Sequence, residues 1–238
     1  MQNQTTLSPL RCNPLLYGSL FSGIGGIDLG FDRAGLKCAW QVEIDPFARK
    51  VLEKHWPGVP KHDDIRTFKP TPVDVVCGGF PCQDISHAGK RVGIDGERSG
   101  LWCEFARVVR DIRPRFVVVE NVQALRYKGG GLYRVLSDLA ECGYDAEWQS
   151  LAAGSFGAPH IRERIILVGY TNKPPKNAHA ATGRQRNPIS QSGWWKTEPS
   201  VGRVADGVPE QMDRLRCLGN AVVPQVAEWI GRRLIESV

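Results

Sequence analysis

The sequence predicts an α/β protein built on a doubly wound sheet, and three observations carry that expectation. Short apolar runs of strand length alternate with longer segments whose apolar residues recur at helical spacing. The first run leads into a glycine-rich turn that opens a helix, Phe21-Ser22-Gly23-Ile24-Gly25-Gly26-Ile27-Asp28-Leu29-Gly30-Phe31. The residues best equipped for chemistry fall just past the ends of apolar runs, where open α/β sheets bind ligands.

Leu15 to Leu20 reads as the first strand. The glycines after it let the backbone approach a ligand, and the helix that follows offers unpaired N–H groups. Such a turn is shared by nicotinamide enzymes and by turns that bind nothing. Cys38 to Val42 reads as a second strand ending at Glu43. An acid there is placed to bond ribose hydroxyls, or it caps the helix Pro46 to His55, a task Asp45 could equally perform. A third strand near Val59–His62 leads to Asp63-Asp64-Ile65. One of these acids could accept from an exocyclic amine while Ile65 packs on a ring; a plain turn is the other reading.

Val73 to Cys77 reads as a buried strand, followed by Gly78-Gly79-Phe80-Pro81-Cys82-Gln83-Asp84-Ile85-Ser86. A proline-stiffened cysteine beyond a strand end can be a nucleophile, or merely a small buried hydrophobe. His87 to Ser99 is charged and aperiodic, as a lid would be. Leu101 to Ile112 reads as a helix, and Phe116 to Val119 as a buried strand ending in Glu120-Asn121-Val122. A carboxyl carried there is held protonated by burial, or is salt-bridged. Gly131 to Cys142 reads as a helix, Ala146–Leu151 and Ile165–Val168 as strands. Arg162 and Arg164, at i and i+2 in an extended segment, are expected on one face, gripping an anion or defending a strand edge. Leu218 to Ile230 reads as a turn entering an amphipathic helix that runs towards Ile235.

With 238 residues, 42% hydrophobic and 24% charged, the chain has the make-up of one sizeable globular core. No run is long and apolar enough to span a membrane, and Met1 to Thr6 lacks a signal peptide's pattern. Seven scattered cysteines without a Cys-x-x-Cys pair argue against a disulfide framework or a structural metal, so no metal and a reducing cytoplasm are expected. Residues 173–203 carry +5 of the net +6. That excess suits a polyanion, though a solvated linker has the same composition. Trp194-Trp195 within it could stack on bases or fasten the segment to the core.

Taken in order, these motifs resemble the DNA cytosine-5 methyltransferases, from about Leu16 to Ile235. Phe21-x-Gly23-x-Gly25-Gly26 is similar to the family's S-adenosylmethionine turn, with Glu43 at the ribose and Asp64-Ile65 at the adenine. Gly79-Phe80-Pro81-Cys82-Gln83 resembles the nucleophile loop, and Glu120-Asn121-Val122 the acid that holds the flipped cytosine. Arg162-x-Arg164 resembles the arginine pair, Glu210-x-x-x-Arg214-Leu215 the next-to-last motif, and Gly219-Asn220-x-Val222-x-Pro224 the closing motif. The resemblance implies a mostly parallel seven-stranded Rossmann-like sheet with one antiparallel strand and a small irregular recognition segment. It implies a catalytic set of Cys82, Glu120, Arg162 and Arg164. It implies a cofactor site of Phe21, Gly23, Gly25, Gly26, Glu43, Ile44, Asp64, Ile65, Gly79, Pro81, Leu101, Asn220 and Val222. DNA contacts are expected from Gln83, Ser86, Lys90, Arg91, Arg184, Arg186, Trp194, Trp195 and Lys196.

The chemistry implied starts with Cys82 adding to C6 of a flipped-out cytosine, which makes C5 nucleophilic. Glu120, protonated, would donate to N3; Arg164, with Arg162 in support, would balance charge. C5 would take the methyl of S-adenosyl-L-methionine, lose its proton and release Cys82. Residues 15–170 with 217–238 would form the catalytic domain, and 171–216 a shortened recognition region suited to a target of roughly two to four base pairs. The chain departs from the pattern at His160, where the family has Gln, and in that compressed region. Expected partners are double-stranded DNA and, in a restriction–modification setting, a cognate restriction endonuclease. The chain is expected to act as a monomer, unless a second protein or a dimer mate supplies recognition surface. Rival readings are an RNA (tRNA) cytosine-5 methyltransferase, whose Cys-Phe-Thr insertion is missing here, a catalytically silent DNA-binding relative, and a nicotinamide oxidoreductase.

Overall fold

In the computed structural model, which describes residues 13–81, 101–127, 130–171 and 211–238, the alternation of runs becomes seven strands and six α-helices. In chain order they are β1 (Leu16–Leu20), α1 (Gly26–Ala34), β2 (Lys37–Val42), α2 (Pro46–His55), β3 (Lys61–His62), β4 (Val75–Gly78), α3 (Leu101–Ile112), β5 (Phe116–Val122), α4 (Leu132–Glu141), β6 (Asp145–Ala152), β7 (Glu163–Tyr170), α5 (Gln211–Asn220) and α6 (Pro224–Glu236). The strands form one sheet in the order β3-β2-β1-β4-β5-β7-β6. Strands β1 to β5 pair in parallel, whereas β7 runs antiparallel to both of its neighbours, β5 and β6. The expected single antiparallel strand is therefore β7. The strand order reverses at β1–β4, which opens a crevice at the carboxyl edge of the sheet.

The central strands are buried on both faces, which is why they read as unbroken apolar runs. Val76, Val117 and Val119 face Trp102, Phe105 and Val109 of α3 and Val135 and Leu139 of α4. Val75, Phe116 and Val118 point the other way, against Phe31 of α1 and Ile230 and Leu234 of α6. Each such side chain contributes about 1.5–3 kcal/mol by leaving water. Helices α1 and α6 pack closely because Gly30 has no side chain; a Cβ there would sit 2.4 Å from the Pro224 carbonyl oxygen and 2.5 Å from Ala227 Cβ. Among the described residues, no helix is long and apolar enough to cross a membrane.

Helix α2 starts where Asp45 caps it: Oδ1 accepts from the backbone N–H of Phe47 (2.8 Å) and Ala48 (3.0 Å), with Pro46 in the first turn. The cap is thus Asp45, and Glu43 is left for another task. Two expectations need correction. Leu218, Gly219 and Asn220 are not a turn but the last residues of α5; the turn is confined to residues 221–223, and α6 begins at Pro224. Arg162 is not extended, because its φ is 32° and it precedes β7, so the period-two alternation fails at that residue.

Beneath the glycine turn lies a buried acid that the sequence reading did not single out. Asp28 on α1 is fully buried, and it accepts hydrogen bonds from Ser19 Oγ of β1 (3.1 Å) and Gln41 Nε2 of β2 (2.8 Å). Burial, aided by nearby Asp32, pushes its carboxyl from 3.8 up to about 6. The folded state therefore binds this proton more tightly than the unfolded chain does. Its contribution to stability is fully present below pH 4, is lost as pH rises to about 6, and stays lost above that. The loss at neutral pH is on the order of 3 kcal/mol. Asp28→Asn is expected to remove this component: the wild-type minus variant stability from urea unfolding should fall between pH 4 and pH 7. Parallel stability curves would show that Asp28 does not titrate in this window.

Candidate active site

The chain leaves β1 through Phe21 and Gly23, both at positive φ (52° and 56°), and through Gly25 at 84°. The turn is tied to β2 by the Ser22 N–H, which donates to the Val42 carbonyl at 3.1 Å. Nothing lies within 4 Å of where a Cβ of Gly23 would sit, so the turn faces open space there. Glu43, at the end of β2, holds the turn in place. Its Oε2 accepts from the Gly23 N–H and its Oε1 from the Asp45 N–H, each at 2.7 Å. Burial raises its pKa, against the pull of those two N–H groups. Each oxygen retains a second lone pair for a ligand hydroxyl.

Beside Glu43 is a cavity of about 370 Å³ lined by Phe21, Val42, Ile44, Asp63, Asp64, Ile65, Arg66 and Leu101. Five residues expected at the cofactor, Phe21, Ile44, Asp64, Ile65 and Leu101, line it together. Arg66 was missed. Its guanidinium grips Asp64 in a fork, Nε at 2.9 Å from Oδ1 and Nη2 at 2.8 Å from Oδ2, and the pairing lowers the Asp64 pKa. The available signal was a cation two residues past an acid at a strand end. Gly26 meets the closing motif: a Cβ there would lie 2.4 Å from the Val222 carbonyl oxygen.

A second cluster forms where β4, β5 and β7 meet. Gly78 lies so close to β1 that a Cβ would sit 2.2 Å from the Leu20 carbonyl oxygen, and one on Gly79 would sit 2.7 Å from Glu120 Oε2. Phe80 is buried against Trp102, and its carbonyl accepts from Asn121 Nδ2 at 3.2 Å. Pro81 is the last described residue before Cys82. Cys82, Gln83, Ser86, Lys90 and Arg91 lie outside the described residues, as do Arg184, Arg186, Trp194, Trp195 and Lys196.

Glu120 is 8% exposed, with Oε1 3.0 Å from Arg164 Nε. Their geometry is that of an ion pair, and Oε1 has no aligned donor. Burial raises the Glu120 pKa, and the charges of Arg164 and Arg162 only partly offset it. The antiparallel register explains why this arginine is here: Arg164 pairs with Val122, so β7 begins at the edge where β5 ends. Arg162 turns elsewhere. Its Nη2 donates to the Gly219 carbonyl (2.8 Å) and the Ala221 carbonyl (2.7 Å).

The sequence signature of C-5 cytosine-specific DNA methylases matches residues 16–210. The chain belongs to that family. It is 41% identical over 166 residues to the type II methyltransferase M2.BsuMI of Bacillus subtilis strain 168, an alignment that covers 67% of this chain and 43% of the relative. It is 36% identical over 194 residues to M.AquIA of a Picosynechococcus strain, covering 71% of this chain and 78% of that one. The chain spans about half the length of the curated relatives it matches, M.AquIA excepted. Among solved structures, a prophage-encoded Escherichia coli protein assigned as a DNA modification methyltransferase superposes with a TM-score of 0.58 at 27% identity, over 66% of this chain and 47% of that one. The Schizosaccharomyces pombe Dnmt2 methyltransferase shares the fold, with a TM-score of 0.54 at 22% identity over 67% of this chain and 50% of that one. The doubly wound α/β architecture expected from the sequence is thus the fold of the S-adenosylmethionine-dependent C5 methyltransferases.

Proposed function

We propose that the chain is the catalytic unit of a DNA cytosine-5 methyltransferase that modifies a flipped-out cytosine in duplex DNA through a Cys82–C6 bond. The observation that carries the reading is Glu120: a buried carboxyl at a strand end, paired with Arg164, with one oxygen short of a donor and the other pressed against Gly79 in the loop of Cys82. A buried carboxyl held by an ion pair but without an aligned hydrogen bond at Oε1 keeps hydrogen-bonding capacity for a base.

The cavity fits S-adenosyl-L-methionine in kind: apolar walls at Phe21, Ile65 and Leu101 with the acid Asp64 among them, and Glu43 next in the chain to the lining residues Val42 and Ile44. Glu43 would hold the ribose, Asp64 the adenine amine, and the turn of Gly23, Gly25 and Gly26 with Asn220 and Val222 the amino-acid end. When bound, the cofactor supplies an electrophilic methyl group on a sulfonium. The Cys82 thiolate forms a bond to C6, and the electron pair of the C5–C6 double bond becomes available at C5. Protonated Glu120 donates to N3, so negative charge does not build up on the ring. Arg164 keeps Glu120 oriented. After C5 is alkylated, loss of its proton to water re-forms the C5–C6 double bond, and the Sγ–C6 bond breaks with its electron pair leaving on the Cys82 thiolate. In this reading residues 15–170 and 217–238 make the catalytic unit, and 171–216 read the duplex, with α5 crossing from one to the other.

The test is incubation of the purified protein with labelled S-adenosylmethionine and either duplex DNA or tRNA, followed by nucleoside analysis. Label in 5-methylcytosine from DNA is expected. Label in RNA alone would transfer the chain to the tRNA branch, and label in neither would remove the reading for the chain by itself.

The cofactor half can be checked separately. Glu43→Ala is expected to weaken S-adenosylhomocysteine binding by roughly 1.5–3 kcal/mol, the worth of hydrogen bonds to a charged group. Calorimetric titration measures this directly. An unchanged dissociation constant would place the ribose elsewhere.

A further inference from the structure

Two arginines that look equivalent in the sequence are used differently. Arg164 faces the acid of the base site. Arg162, two residues earlier and in the left-handed region at φ 32°, sends its guanidinium to the end of α5. The carbonyls there lack partners within the helix, and a cation at a helix carboxyl end is favoured by the macrodipole. The next residue along, Val222, packs its backbone against Gly26 of the glycine turn: a Cβ on Gly26 would lie 2.4 Å from the Val222 oxygen and 3.0 Å from its nitrogen. On the other side, Glu120 Oε1 is 3.0 Å from Arg164 Nε, and Glu120 Oε2 would be 2.7 Å from a Cβ on Gly79. The same short stretch, residues 162–164, therefore grips both the turn that bears on the cofactor loop and the acid that bears on the nucleophile loop.

We infer that Arg162 is a positioning residue that couples the two pockets, fixing the 219–222 turn against the glycine loop while its neighbour Arg164 sets Glu120. The inference rests on the methyltransferase reading for the identity of the two pockets. Burial and the like charge of Arg164 lower the Arg162 pKa, and the Glu120 charge opposes them. A residue acting on the base alone would change turnover without changing the cofactor side.

The test compares Arg162→Ala, Arg162→Lys and Arg164→Ala in the full chain. Arg162→Ala is expected to weaken S-adenosylhomocysteine binding roughly 10-fold, as two charge-assisted hydrogen bonds are lost. It should also lower kcat and raise the KM for S-adenosylmethionine together, and added ethylguanidinium should restore part of both. Arg162→Lys should fall between, and Arg164→Ala should lower kcat with an unchanged S-adenosylhomocysteine affinity. A second measurement is independent of any activity. Hydrogen exchange in the free protein should quicken roughly 10-fold at residues 221–226 and 24–30 in Arg162→Ala, through local opening of both segments. Faster exchange with no methyl transfer by the wild type would retire the methyltransferase reading and leave the mechanical link standing. Unchanged exchange and unchanged S-adenosylhomocysteine affinity, with reduced kcat, would overturn the link and return Arg162 to the base site.

Discussion

DNA carrying 5-fluorocytosine is expected to become covalently attached to the chain through Cys82. Addition of the thiolate to C6 and alkylation of C5 proceed as with cytosine, but release of the sulfur requires loss of a proton from C5. Fluorine cannot leave in that way, so the Sγ–C6 bond persists and the protein migrates with the DNA on a denaturing gel. The loop before Cys82 is built to hold its start still: Phe80 is buried, its carbonyl is bonded to Asn121, and Pro81 stiffens the step that follows. Cys77, five positions earlier, is the natural competitor. It is fully buried within β4, and burial drives its thiol well above the usual range, so it has little thiolate to offer. Cys82→Ala should therefore form no adduct and lose methyl transfer by roughly 10⁴-fold or more, as loss of a nucleophile commonly does. An adduct of undiminished yield in that variant would sink the assignment.

The next largest effect is expected at Glu120. Its replacement by Gln preserves shape and a donor for N3 but removes the transferable proton, at a cost of about 10²–10⁴-fold in kcat. The pH profile gives a sharper test than the rate alone. An acid raised by burial donates below its folded pKa, so the rate it supports falls as pH rises through that value. Glu120→Gln should lack this alkaline limb. Arg164→Ala should move the limb to higher pH, since the Arg164 charge lowers the Glu120 pKa. Activity within about threefold of wild type in Glu120→Gln, on the scale of general acid catalysis, would exclude the acid role.

How much of this was legible depends on the range of the interaction. Helices α2 and α3 could be read to their bounds because a cap, a proline or a strict period marks each end locally. That Glu43 and Asp64 sit by a cavity was legible for a similar reason, since residues past strand ends share one edge of any such sheet. Strand order was not, because pairing depends on which runs meet in space. The divergence of Arg162 from Arg164 was hidden by one left-handed residue, invisible to an alternation rule. Asp28 looked like an ordinary acid near a helix start; only the arrival of Ser19 and Gln41 from two strands makes it a buried junction. The helix over Leu218–Asn220 was missed because Gly-Asn reads as a stop, while the guanidinium of Arg162, which donates to the carbonyls at its end, is far away in sequence. The assignments to Cys82 and to the basic and tryptophan residues of 173–203 remain readings of the sequence.

The reversed direction of β7 has a consequence for reach. The strand starts at the carboxyl edge, delivering Arg164 to Glu120, and it ends at the opposite rim, where Tyr170 pairs with Phe116 and Asp145, the first residues of β5 and β6. The next described element, α5, is anchored back at the carboxyl edge, where Arg216 bonds Asp45. Strand β7 has eight residues, so the contacts of Tyr170 and of Arg216 lie on opposite rims of the sheet, roughly 25 Å apart along the strand direction.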